Sequence, residues 1–238
     1  MSRRDAVTDR TRIVVFVHGL WLSGHEGFWL GHRLDRQLGA THRRFTYRSV
    51  AASISESAAA LGEYLAALRA DTVDLVGHSM GGLVILKLFE RPPALPAGRI
   101  VLLGPPLHGS RAAAGFARLP FGKALLGRGI AEAVLPAAAW PRAWSGAREV
   151  GVIAGRAAFG LGRLVARLDT PNDGVVAVEE TRLAGARDEI VLEVQHAGML
   201  FSRAVAAQTA AFLEHGRFLR PARSADSPHA APSSRRSR

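Results

Sequence analysis

A serine hydroxyl becomes a useful nucleophile only where a base can reach it and donors can hold the developing oxyanion. The segment Gly77-His78-Ser79-Met80-Gly81 is a GxSxG pattern with suitable flanks. The apolar run Val73–Val76 leads in, and the helix-forming stretch Met80–Glu90 leads out. This context predicts a serine on a sharp strand-to-helix turn, with its Oγ exposed above a sheet. Gly77 and Gly81 would leave room beside such a turn, and Gly82 would let the helix pack closely. The helix N-terminus also favours an anion at this place. A simple N-cap serine between packing glycines is the competing reading. The base has to be found further along the chain, where His108, His196, His215 and His229 follow Ser79. His196 directly follows the apolar run Ile190–Val194 in Gln195-His196-Ala197-Gly198, a strand-end loop suited to a mobile base. His215 ends a helix, and His229 lies in a Ser-, Pro- and Arg-rich tail.

These groups need a scaffold. Ile13–Val17, Arg44–Tyr47, Val73–Val76, Ile100–Leu103, Val150–Ala154 and Ile190–Val194 read as short strands. Residues 28–38, 55–69, 80–90 and 202–215 read as helices, with Ala58, Leu61, Leu65 and Leu68 at helical spacing in the second. Apolar strands alternating with helices predict an α/β fold: a mostly parallel sheet of about six strands with helices on both faces. Pro105–Glu149 is long for a single crossover and rich in Gly and Pro. It is expected to form one or two helices capping the sheet edge. The expected organisation is an N-terminal arm at 1–12, a domain at 13–216 with a cap at 105–149, and a disordered basic tail at 217–238.

The stretch TVDLVGHSMGGLVILKLFE resembles the nucleophile elbow of α/β-hydrolases, especially bacterial lipases and esterases. The resemblance extends from about residue 12 to 215. The arm is too short for the two leading strands of many members, so it implies a compact version of that fold. In this family the triad runs Ser, then Asp or Glu, then His. That order implies His196 as base and sets aside His108, before which no strand-end carboxylate follows Ser79. Asp169, Asp173, Glu179, Glu180, Asp188 and Glu189 compete as acid. Asp173, in Asn172-Asp173-Gly174-Val175-Val176, matches the acid loop of lipase-like members, with Asp169 as runner-up. A plain Asn-Asp-Gly turn would look the same. The pair His18-Gly19 after the first strand resembles the oxyanion loop, implying the N–H groups of Leu20 and Met80 as donors. His18 itself is expected to support the loop. Trp21, Leu107, Phe116 and Phe121 are candidate contacts for an acyl group, or ordinary core.

The resemblance implies a serine esterase acting on a small-molecule or lipid ester through an acyl-enzyme, with no cofactor. A thioesterase or acyltransferase would use the same triad, and a non-catalytic binding protein on this fold is the remaining reading. Composition narrows the field further. The chain has 238 residues, 48% hydrophobic and 21% charged, with no cysteine. Disulfides and thiolate chemistry are therefore excluded. No HExxH, phosphate loop or clustered ligand spacing points to a metal or nucleotide. Of the net charge of +11, residues 217–238 carry +5 and residues 1–12 carry +2, leaving +4 in 13–216. This scatter argues against a nucleic-acid partner. The tail is a candidate for peripheral contact with an anionic membrane. With no secretory h-region and no long apolar run, a cytoplasmic address is expected.

Overall fold

The computed structural model describes residues 11–91, 93–134, 143–157 and 171–220. Six strands, β1 (Arg12–Val17), β2 (Thr41–Phe45), β3 (Thr72–His78), β4 (Ile100–Leu103), β5 (Val150–Gly155) and β6 (Asp188–Leu192), form one sheet in the order β2-β1-β3-β4-β5-β6. Every pairing is parallel. The interior strands are nearly continuous runs of buried Val, Ile and Leu, as expected where both faces are covered. Alternation along β1 divides the core. Ile13, Val15 and Val17 join a cluster with α2 (Ile54–Ala66) and α3 (Met80–Leu88). Val14 and Phe16 face the other layer, with α1 (Phe28–Leu38) and the C-terminal helix, α6 (Arg203–His215). Parallel strands all end on the same side, which is where such sheets place their ligands.

Local signals account for the helix boundaries. Ser53 and Glu56 close a reciprocal capping box at the start of α2. α1 stops at Gly39, whose φ of 60° would strain most other residues. The two edge strands fall two to three residues earlier than their apolar residues suggest. β2 is Thr41–Phe45 rather than 44–47, and β6 is Asp188–Leu192 rather than 190–194. An edge strand is held by pairing on one side, so exposed Thr41, Arg43 and Arg44 can occupy β2 without an apolar signal. The first residues of the expected tail also belong to the body. Phe218 is buried against Phe212, and Arg220 forks onto Asp188. Residues 221–238 lie outside the described residues.

Two helices, α4 (Arg111–Phe116) and α5 (Gly122–Ala133), occupy the long connection. They lie over the loops after β1 and β2 rather than at a sheet edge, because Leu126 and Ile130 bury themselves in the same cluster as Ile54, Ala58 and Met80. Arg128 N–H donates to the Val50 carbonyl at 3.0 Å. Trp140 falls outside the described residues, and Trp144 packs on Phe89, in a different part of the fold. Among the described residues, no helix is long and apolar enough to cross a membrane.

A severe packing constraint lies where β1 meets α3. A Cβ at Gly81 would stand 2.1 Å from the Val17 carbonyl oxygen and 2.6 Å from that of His18. Both are backbone atoms and cannot swing aside. Gly81→Ala is therefore expected to destabilise the fold by about 3 kcal/mol, read as a lower urea midpoint at constant slope. A midpoint within experimental error of wild type would show that β1 and α3 can separate freely.

Candidate active site

Ser79 stands between β3 and α3 with φ 52° and ψ −123°, a strained conformation for a residue with a side chain. Its N–H donates to the Leu103 carbonyl at 2.8 Å, and its own carbonyl accepts from Gly82 N–H at 3.0 Å. The surrounding glycines are required by contact. A Cβ at Gly77 would meet Gly82 backbone atoms at 2.8 and 2.9 Å, and one at Gly19 would lie 3.1 Å from Ser79 Cβ.

Asp173 and His196 come together from the loops around β5 and β6. His196 Nδ1 lies 2.7 Å from Asp173 Oδ2, and the His196 backbone N–H donates to the Asp173 carbonyl at 2.9 Å. The carboxylate is fully buried, and its other oxygen accepts from the N–H groups of Val175 and Val176 at 3.0 and 2.7 Å. With Oδ1 occupied by two donors, Oδ2 faces the imidazole. Donation from Nδ1–H leaves the lone pair on Nε2. The turn itself is held by Asn172 Oδ1 accepting from Gly174 N–H, with Gly174 at φ 97°. The other described carboxylates are engaged elsewhere. Glu179 pairs with Arg111, Glu180 accepts from Ala177 N–H, Asp188 binds Arg220, and Glu189 binds Arg182. Asp169 lies outside the described residues. His108 bonds the Arg182 carbonyl instead, at 3.0 Å.

Gly104 joins the two halves. It follows Leu103, whose carbonyl holds Ser79, and a Cβ there would come 3.0 Å from Asp173 Oδ2 and 3.1 Å from His196 Nδ1. Gly155, at the end of β5, similarly admits Asp173, whose Cβ would be 2.8 Å from an added methyl. Neither glycine stands out in the sequence reading, although each directly follows an apolar run.

His78 is the neighbour of His196 that sequence reasoning missed. It is fully buried beside His196, with ring centroids 4.8 Å apart, and its Nε2–H donates to the His196 carbonyl at 3.1 Å. Its Nδ1 has no hydrogen-bond partner. Burial above all, reinforced by the nearby His196, lowers its pKa to about 3. The unfolded chain would take up this proton near pH ~6.5. His78 therefore contributes stability that is complete above that pH and is lost as pH falls towards 3. The expected loss is about 2 kcal/mol between pH 7 and pH 5. Urea unfolding of wild type and His78→Gln at both pH values checks this. Parallel losses in the two proteins would rule it out.

The loop after β1 is braced by His18. This buried ring donates from Nδ1 to the Gly19 carbonyl at 2.8 Å and accepts from Tyr47 N–H on Nε2 at 3.3 Å. Tyr47 stacks on it and returns a hydroxyl hydrogen bond to the His18 carbonyl at 2.7 Å. Burial lowers the His18 pKa, and acceptance on Nε2 is the geometry of a neutral ring. Leu20 follows Gly19 beside Ser79, and Met80 is the first residue of α3, where the N–H groups of a helix lack intrahelical partners. The four apolar candidates do not share one environment. Trp21 and Phe116 pack edge to face at 6.1 Å. Leu107 is wholly buried in the core and has no surface to offer a ligand, while Phe121 projects into solvent. Among the described residues, no three His, Asp or Glu side chains converge as metal ligands would.

A parallel six-stranded sheet flanked by helices, with a strained serine at the β3–α3 turn, is α/β-hydrolase architecture. The chain belongs to the alpha/beta hydrolase family, whose model matches residues 14–232. It is similar in fold to mature Bacillus licheniformis lipase BlEst2, with 18% identity and a TM-score of 0.68 over 87% of this chain and 92% of that one. The metagenomic carboxyl esterase MGS0156 aligns with 21% identity and a TM-score of 0.54 over 79% of this chain and 65% of that one. The type II thioesterase BorB from the borrelidin biosynthetic cluster aligns with 16% identity and a TM-score of 0.53 over 86% of this chain and 92% of that one. At these identities the likeness is one of fold. No curated protein matches the chain.

Proposed function

We propose that this protein hydrolyses carboxylic esters through an acyl-enzyme, with Ser79 as nucleophile, His196 as base and Asp173 as the acid that orients it. The observation that carries this reading is the 2.7 Å contact between Asp173 and His196, seated against the residue that follows Leu103, the carbonyl partner of Ser79. As Ser79 Oγ bonds to the ester carbonyl carbon, its proton passes to His196 Nε2. The imidazolium is stabilised by the buried Asp173 carboxylate. The carbonyl oxygen becomes an oxyanion, for which the N–H groups of Leu20 and Met80 are the donors. Collapse breaks the bond to the alcohol oxygen, which leaves with the proton from His196. Water then repeats the sequence, releasing the acid and restoring Ser79.

A thioester is the second reading. The same residues serve a thiolate leaving group, and a type II thioesterase shares the fold. Hydrolysis of p-nitrophenyl esters of increasing acyl length, run beside acyl thioesters, tests both. Faster turnover of esters supports the proposal, and faster turnover of thioesters transfers it to the second reading. Failure to hydrolyse either would refute both.

A further inference from the structure

Several large apolar side chains of the described chain remain in solvent, and five of them share one face. Phe121 is 83% exposed and Trp21 59%, joined by Val50, Leu119 and Leu125. The face is continuous. Trp21 Nε1–H donates to the Leu125 carbonyl at 2.8 Å, and Leu125 N–H donates to that of Phe121 at 3.0 Å. Gly122 N–H bonds the Leu119 carbonyl at 2.9 Å, and Arg128 N–H ties the Val50 loop to α5.

Two further features show that this is more than scattered surface. Trp21 and Phe121 both have φ 60°, and with Ser79 they are the non-glycine residues of positive φ among those described. A bulky side chain in that region is unfavourable, and the almost fully exposed Phe121 ring returns little packing to offset it. Two cations on the face are also unpaired. Arg118 and Lys123 flank Phe121 in solvent, with no acidic partner among the described residues. Arg128 pairs with both neighbouring acids, Glu56 and Glu132, so these five charges leave a net of +1. Phe121 projects from a turn rather than lining a groove, so the face suits a fluid surface better than a shaped protein partner. Aromatic and aliphatic tips beside unpaired cations are the chemistry of anionic lipid interfaces. The face also adjoins the site, since Trp21 follows Leu20 and a Cβ at Gly129 would lie 3.3 Å from Met80 Sδ.

We infer that the face formed by Trp21, Val50 and the α4–α5 turn docks on anionic lipid surfaces. Ser79, partly exposed, then lies near the lipid–water boundary, and the ester substrate is drawn from the lipid phase. The substrate part of this inference rests on the ester-hydrolase reading; the docking does not. The test is co-sedimentation of the full chain with phosphatidylglycerol–phosphatidylcholine vesicles and with pure phosphatidylcholine vesicles. Wild type and Ser79→Ala should bind the anionic vesicles alike and at least tenfold more tightly than the neutral ones. Arg118→Glu/Lys123→Glu and Leu119→Ser/Leu125→Ser should each lose tenfold or more of that binding, while hydrolysing p-nitrophenyl acetate within twofold of wild type. Equal binding by wild type and both variants would assign the contact to the basic C-terminus and overturn the inference. Absence of vesicle binding would overturn it too, as would a wild-type dimer that either variant dissociates. Lipid binding without hydrolysis would refute the ester reading and leave the docking face intact.

Discussion

Ser79→Ala is expected to lower kcat for ester hydrolysis by on the order of 10⁶, to the level of residual binding and oxyanion stabilisation. In the proposed mechanism the hydroxyl oxygen forms the covalent bond, and alanine offers no replacement for it. The fold should survive, because the Ser79 side chain makes no capping hydrogen bond to α3. Alanine also retains the Cβ that already tolerates φ 52°. Steady-state kinetics with a soluble ester, read beside thermal melting, separates chemistry from folding. Intact-protein mass after reaction with a fluorophosphonate should show one adduct on wild type and none on the variant. A correctly folded variant retaining a tenth of wild-type turnover would place the nucleophile elsewhere.

The second large effect is expected at Asp173. Asp173→Asn should lower kcat by about 10⁴ with little change in KM. The reason lies in the two donors that occupy Oδ1. Val175 and Val176 N–H groups require an acceptor there, so the amide oxygen takes that position and the NH₂ faces His196. His196 Nδ1 must then accept, which moves the ring proton to Nε2. That tautomer has no lone pair to receive the Ser79 proton. Asp173→Ala would lose the turn as well, so the asparagine is the informative change. A loss below tenfold in a variant that melts like wild type would remove Asp173 from its role.

How far residues declare their position depends on what holds them. Interior strands are buried on both faces, so Val73–Val76, Ile100–Leu103 and Val150–Ala154 stand out as apolar runs, and β3, β4 and β5 lie where those runs lie. The edge strands are set by one-sided pairing with β1 and β5, and the apolar signal misplaces both. The glycines around Ser79 are legible because a turn between strand and helix leaves room for nothing larger. Gly104 and Gly155 are not, because what crowds them (Asp173 and His196 at the first, Val194, Asp173 and Met199 at the second) arrives from distant parts of the chain.

The same distinction runs through the candidate site. Local sequence determines the strand–turn–helix at Ser79, the Asx-type turn at Asn172-Asp173-Gly174 and a histidine after the last strand, since each rests on contacts within a few residues. Which carboxylate meets which imidazole is a tertiary matter. The ends of β4 and β5 and the loop after β6 bring Asp173 and His196 together across 23 residues, and His78 reaches the His196 carbonyl across 118. The exposed apolar face likewise has no sequence signature of its own. Leu107, Phe116 and Phe121 look alike as letters, and only packing buries the first, half-buries the second and leaves the third in solvent. Periodicity records how residues sit within one element, whereas burial and partnership depend on where another element comes to rest.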